Sequence, residues 1–216
     1  MSMSTMLTLL GEGMLISVEI FFFTLLFSLP LGLLVSFGRI SKNVLVRSLV
    51  KIYIAIMRGT PLMLQLLVVY FGPYYAFDMK LSRGYRFVAV IIAFSINYAA
   101  YFAEIYRSGI ESIPIGQYEA AKILGYNKFQ TFFKIIFPQV VKRILPPVTN
   151  ETITLVKDTS LASVIAMSEM FTIAQRISAK ETTIMPLMVA GVFYFVFNYL
   201  VAFIMEYIER RFQYFR

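Results

Sequence analysis

The sequence has no cysteine and no histidine. Without thiols it can form neither a disulfide nor a thiolate metal site. Without imidazole it lacks the commonest general base and metal ligand, so a membrane enzyme built on this chain would have only carboxylates to work with. Charge is also scarce. Asp, Glu, Lys and Arg make up 15% of the 216 residues, too little for an ordinary soluble surface. No G-x-x-x-x-G-K-[ST] run occurs, so the chain carries no P-loop for a nucleotide. The opening MSMSTMLTLLGEG has no Lys or Arg and so lacks the charged start of a signal peptide; the first apolar segment is expected to be retained. No long linker, low-complexity tract or convincing internal repeat interrupts the chain.

What is present is hydrophobicity: 59% of residues are apolar and mean hydropathy is +0.73. A spanning helix needs about 20 mostly apolar residues, and five stretches qualify, at approximately 14–38, 50–74, 86–107, 144–167 and 184–206. The expected fold class is therefore all-α: a polytopic membrane protein with five transmembrane helices in one domain covering residues 1–216. Pro30 and Gly32 in the first span are tolerated in membrane helices and can allow a bend. The net charge of +8 would suggest nucleic acid in a soluble chain. Here it has a simpler source, because basic residues collect in cytoplasmic loops.

The placement of those bases gives an orientation. Of the 20 Lys and Arg, 14 fall on one side of the five spans: Arg39, Lys42, Arg47, Lys51 and Arg58, then Arg107, Lys122, Lys128, Lys134, Lys142 and Arg143, then Arg210, Arg211 and Arg216. Five fall on the other (Lys80, Arg83, Arg86, Arg176, Lys180), and Lys157 lies within the fourth span. The excess predicts an N-terminus outside and a C-terminus in the cytoplasm.

On the cytoplasmic side lies EAAKILGYNKFQTFFKIIFP, residues 119–138, a helix-favouring segment between two apolar spans. Glu119 to Phe133 reads as helix, interrupted at Gly125 where a first segment ends and the chain turns. Pro138 is expected to stop the second segment. Apolar Ile123, Leu124, Phe129, Phe132 and Phe133 alternate with Lys122, Lys128 and Lys134, so composition alone also allows an interfacial helix lying on anionic lipid.

The spacing is more specific. Glu119-Ala120-Ala121, then Gly125, then Ile135-x-x-Pro138 resembles the EAA loop of the membrane subunits of ABC importers, with Phe137 at the usual leucine. Arg58-Gly59-Thr60-Pro61-Leu62 with Gln65 is similar to the RGTPLxxQ signature of permeases for polar amino acids. Tyr101 to Gln117 and Lys157-Asp158-Thr159-Ser160-Leu161 are similar to two further segments of that subfamily. The resemblance covers nearly the whole chain. It implies a type I importer permease of a prokaryotic plasma membrane, contributing no catalytic group and no cofactor. ATP and magnesium would be held by two separate ATP-binding subunits, docked through a coupling loop at about 111–138 (Glu119, Ala120, Ala121, Leu124, Gly125). A second permease, identical or paralogous, and an extracytoplasmic amino acid-binding protein would complete the assembly, with lipid around it and no nucleic acid. A secondary transporter is the competing class. Those often show paired inverted repeats, which are missing here, and the EAA spacing would go unexplained.

The fourth span suggests how cargo is read. At about 100° per residue, Asn150, Glu151, Thr154, Lys157 and Asp158 fit an arc of about 120°, while Ile153, Leu155 and Val156 lie outside it. Charges at membrane depth are expensive, so this polar stripe is expected to face a translocation path or a partner. Glu151 and Asp158, about 10 Å apart along the axis, can together meet a cationic head and an α-ammonium group. The alternative is that the acids and Lys157 merely neutralise one another across the subunit interface. Asp158 belongs to the shared motif, whereas Glu151 stands outside it and is the better specificity candidate. Cargo is therefore expected to be a polar, cationic amino acid, with glutamine as the alternative. In the third span Asn97 and Tyr101 share a face and can hydrogen-bond an amino acid, and Gln65 is a weaker candidate. Glu104 is expected to pair with Arg107, and Arg58 to contact loop or headgroup.

Overall fold

The computed structural model describes residues 1–80, 82 and 84–212; Arg83 and Arg216, both counted among the bases above, lie outside the described residues. Every regular element among them is helical. α1 spans Met3–Arg39, α2 Val44–Gly59, α3 Leu62–Phe77, α4 Tyr85–Glu111, α5 Ile115–Ile123 and α6 Lys128–Gln130. A widened turn, Thr131–Ile136, leads into α7, Phe137–Asp158. A tight 3-10 turn, Thr159–Ile165, then precedes α8, Met170–Glu181, and α9, Met185–Phe212.

α1 and α4 form the centre of the molecule. α1 buries Gly13, Ser17, Thr24, Ser28, Gly32 and Ser36, small residues four or seven apart that keep one face thin. In lipid, helix pairs gain from close backbone approach rather than from the hydrophobic effect, and small residues permit it. At Gly32 the approach is so close that a Cβ would lie 2.8 Å from the Phe102 Cβ and 3.1 Å from the Ala99 carbonyl oxygen. α4 answers with buried Ala89, Ala93, Ala99, Ala100 and Ala103. Gly32 therefore serves close packing of α1 on α4.

The second expected span, 50–74, is not one helix. α2 and α3 meet at a bend of 108°. Pro61 is the cause. It has no N–H for the carbonyl of Met57, four residues earlier, and its ring would collide with that carbonyl in a continuous helix. The chain leaves the helix at Thr60 and restarts with Pro61 as the N-cap of α3.

The segment after α4 also departs from expectation. The first helix runs from Ile115 to Ile123 and so begins before Glu119. The chain turns at Gly125, whose φ is +78°. α6 opens with a capping box: the Asn127 carboxamide accepts from the Gln130 N–H at 2.9 Å, and the Gln130 side chain accepts from the Asn127 N–H at 3.0 Å. Pro138 does not end the second segment. The widened turn just before it has the Phe137 N–H donating to Phe132, five residues back. The extra residue makes room for the proline ring, so α7 continues through it. α7 then carries Pro146 and Pro147, and its α-helical part ends at Asp158, short of the expected 167.

Among the described residues, three helices (α1, α4 and α9) are long and apolar enough to cross a membrane, and the bent α2–α3 pair makes a fourth by the same measure. α7 falls outside that measure because its charges and polar stripe dilute its hydropathy. α8 occupies a stretch between the fourth and fifth expected spans, where no helix was expected. It is capped by Glu169, and its start packs against Gly13 and Ser17 of α1.

Candidate functional site

A cleft of about 500 Å3 opens between the end of α2, the second half of α4, and α7. Its charged and aromatic lining is Arg58, Tyr101, Glu104, Arg107, Arg143 and Glu151. The Arg58 guanidinium stands 5.2 Å from the centre of the Tyr101 ring, within cation–π range. Glu104 is engaged twice, with Arg107 at 2.7 Å and with Arg39 from the last turn of α1 at 3.3 Å. The intrahelical pair expected from the sequence is thus present, and Glu104 also ties α1 to α4. Arg107 further pairs with Glu111, and Arg143 donates to the Ser112 carbonyl.

Glu151 is different. Among the described residues it has neither a hydrogen-bond nor an ion-pair partner, yet it is half-buried in the wall of the cleft. The cleft therefore presents one uncommitted carboxylate together with a guanidinium held on an aromatic face. An α-amino acid carries the complementary charges, an ammonium for the acid and a carboxylate for Arg58. Arg58, expected at loop or headgroup, stands in the cleft wall instead, because the Pro61 break swings the end of α2 inward.

The other candidates separate into two groups. Tyr101 lines the cleft with Glu151. Asp158 is outside that lining and accepts a hydrogen bond from the buried Tyr98 hydroxyl at 2.7 Å. Among the described residues no close ion pair joins Lys157 to Asp158 or Glu151, although the Lys157 charge is near enough to act on Asp158. Asn150, Thr154 and Lys157 are exposed, with the Thr154 hydroxyl returned to the Asn150 carbonyl at 2.9 Å. Asn97 and Gln65 sit together at the α2–α3 break. The carbonyl of Met57 that Pro61 leaves unserved accepts from both amides, each at 2.9 Å. Asn97 also donates to Gln65 at 2.9 Å, and Gln65 donates to the Thr60 hydroxyl at 2.8 Å. Their polar groups are committed to the elbow.

The coupling candidates Glu119, Ala120, Leu124 and Gly125 are exposed, and Ala121 is buried. Around them Ile115, Ile123 and Leu124 stand 74%, 86% and 72% exposed, so α5 and the turn after it leave large apolar side chains open. Sequence reasoning missed one buried acid altogether. Glu169 is fully buried and accepts from the Phe171 and Thr172 N–H groups and the Thr172 hydroxyl, each at 2.7 Å, and from the Tyr194 hydroxyl at 3.0 Å. It joins α8 to α9. An acid just before the Met170-Phe171-Thr172 run was a helix-start signal within the sequence.

The chain is 34% identical over 201 residues to GlnP of Rickettsia conorii, a protein named as a candidate glutamine transport system permease; the match covers 93% of this chain and 91% of that one. It is 34% identical over 205 residues to the L-cystine transport system permease TcyB of Bacillus subtilis, covering 94% and 86%. A crystal structure of an amino acid ABC transporter with histidines contains a chain that superposes with a TM-score of 0.88 at 31% identity, covering 97% of both. Residues 28–214 match the family model for binding-protein-dependent transport system inner membrane components. With its helical fold, its spanning helices and that match, the chain belongs to the family of inner membrane components of binding-protein-dependent transport systems.

Proposed function

We propose that this chain is the permease subunit of an ATP-driven amino acid importer and that its cleft reads a positively charged side chain. Membership of the family and the names of the relatives support an amino acid importer, in which this chain is a transport component and not an enzyme. Two ATP-binding subunits hold ATP and magnesium. A second permease, identical or paralogous, closes the path, and an extracytoplasmic binding protein delivers the amino acid. ATP binding draws the two α5 segments together and opens the cleft outward; hydrolysis resets it.

The cationic reading is carried by Glu151, the one uncommitted acid in the cleft lining. Among the described residues the Glu151 carboxylate makes no hydrogen bond or close ion pair, and only the Arg58 charge across the cleft offsets its burial. A guanidinium or ammonium head would add a direct partner, guanidinium through a bidentate pair. Arg58 over Tyr101 takes the cargo carboxylate. Glutamine is the second reading, because a relative is named for it. For glutamine, Glu151 would meet only the α-ammonium group.

Glu151→Gln keeps the shape and removes the charge. Arginine and lysine uptake by the complete complex in liposomes should fall about tenfold or more, the effect of about 1.4 kcal/mol. Glutamine uptake should fall less or rise, and the complex should still assemble and hydrolyse ATP at its basal rate. An equal fall for all cargoes, or loss of assembly, would make Glu151 a structural residue and remove the basis for cationic cargo.

A further inference from the structure

The cleft does not end at the residues assigned to cargo. On α4 its lining continues from Tyr101 through Glu104 and Arg107 to Ser112, and on α7 from Glu151 to Arg143. Tyr101 to Ser112 is about 16 Å of helix. Ser112 closes α4, and Pro114 opens α5. One wall of the cleft is therefore the helix that runs directly into the exposed α5 patch.

Arg107 joins the two levels. Its guanidinium holds Glu104, on the cleft wall, at 2.7 and 3.0 Å. It also holds Glu111, which lies outside the lining in the last turn of α4. An acid in a last turn opposes the helix dipole, and that turn of α4 has no base of its own. Arg107 offsets Glu111 from one turn back. The Ser112 carbonyl, an orphan acceptor at the helix end, is met by Arg143 from α7. Between these levels α4 and α7 touch closely. A Cβ at Gly109 would collide with the Ile144 side chain and stand 3.4 Å from Val140. Ile113 is buried with Ile136 and Val140, which holds the α4–α5 junction against α7. The Glu104 pair is less settled: its Oε1 has Arg39 at 3.3 Å but makes no hydrogen bond among the described residues. We propose that Arg107 is a positioning residue that passes the state of the cleft to α5. An amino acid entering the cleft brings charges of both signs to the Glu104–Arg107 pair. As the hold of Arg107 on Glu104 changes, so does its hold on Glu111, and the junction shifts. The consequence for ATP rests on the reading that an ATP-binding subunit meets α5; the shift itself does not.

The test uses the complete transporter in nanodiscs, with arginine and glutamine each as probe cargo. Hydrogen–deuterium exchange over residues 113–124 reads the junction directly, and cargo-stimulated ATP hydrolysis reads the consequence. In the wild type, cargo should change the exchange of that segment. Glu111→Gln keeps the side chain's size, removes its charge and lies outside the cleft lining. It should shrink the cargo-dependent change and lower stimulation about threefold, the scale of an exposed ion pair, while the KM for cargo stays at its wild-type value. Glu111→Asp should restore most of both. Glu206→Gln removes the same kind of pair from α9 and should leave both unchanged. Glu104→Gln with Glu111→Gln should lose no more than Glu104→Gln alone, because both acids act through one guanidinium. Three outcomes would overturn the proposal: no cargo-dependent change in the wild type, an unaltered change in Glu111→Gln, or additive losses in the double variant. An exchange response that depends on Glu111 without a matching effect on ATP hydrolysis would support the role of Arg107 and remove instead the docking of the ATP-binding subunit on α5.

Discussion

At Gly125 the backbone has a φ of +78°, and a Cβ added there would meet nothing within 4 Å. The penalty for any other residue is therefore conformational, not steric crowding. A left-handed turn costs an L-residue about 1–2 kcal/mol, less for asparagine, whose short side chain supports it. Because Gly125 directly follows the exposed Ile123 and Leu124, the turn sets where that patch points. Gly125→Val should uncouple the transporter: cargo-stimulated ATP hydrolysis should drop sharply while the protein still inserts, and Gly125→Asn should keep more of it. Unchanged stimulation in the valine variant would remove Gly125 from coupling. This turn was legible in the sequence because its cause is local, one glycine between two helical segments. Gly32 was not, because what it permits is contact with Phe102, on a different helix. The same distinction separates Glu104, whose partner Arg107 lies one turn along the helix, from Arg58, whose place in the cleft depends on a bend elsewhere.

At the scale of elements, the elbow between α2 and α3 shows how a sequence signature becomes architecture. Pro61 removes the donor that Met57 would have received, and the amides of Gln65 and Asn97 replace it from two directions. The hydropathy of residues 50–74 averages over this break, so one span was expected where two short helices meet. Gln65 and Asn97 read as polar residues at membrane depth, which is a functional signal by default. Only the position of the Met57 carbonyl reveals what they hold. Gln65→Leu and Asn97→Leu should each destabilise the protein by about 1–3 kcal/mol, the penalty for a buried polar group left under-satisfied. The double variant should depart from the sum of the two, because the amides share the Met57 carbonyl and are bonded to each other. Thermal unfolding of the purified protein measures this. Uptake of all amino acids should fall together, in contrast to the selective loss expected for Glu151→Gln. A selective loss at Gln65 or Asn97 would instead return them to the cargo site. α7 is the opposite case: its polar arc was legible from the helical period, but the widened turn that carries the helix through Pro138 has no local signature.

For the whole molecule, the described bases gather at two ends. One end holds the last turn of α1, the α4–α5 connection, the start of α7 and the end of α9, with Arg39, Arg107, Arg143 and Arg211 among its contacts. The other holds the start of α1 beside α8 and the connection before α4, where Arg86 donates to the Ala166 carbonyl at 3.2 Å. The first end carries the larger share of bases, and retained positive charge marks the cytoplasmic side. The exposed α5 patch lies at that same end, where an ATP-binding subunit would have to meet it, so orientation and coupling stand or fall together. The sequence suits a direct measurement because it contains no cysteine. Ser82 lies in the connection before α4 and Asn127 at the start of α6, both exposed and each at an opposite end. Replaced singly by cysteine, position 82 should react with a membrane-impermeant maleimide added to intact cells, and position 127 should react only after the membrane is opened. Labelling of both after opening controls for accessibility. If position 127 reacted first in intact cells, the N-terminus would be cytoplasmic, the α5 patch would face away from ATP, and the coupling role of Glu119 to Gly125 would be lost with it.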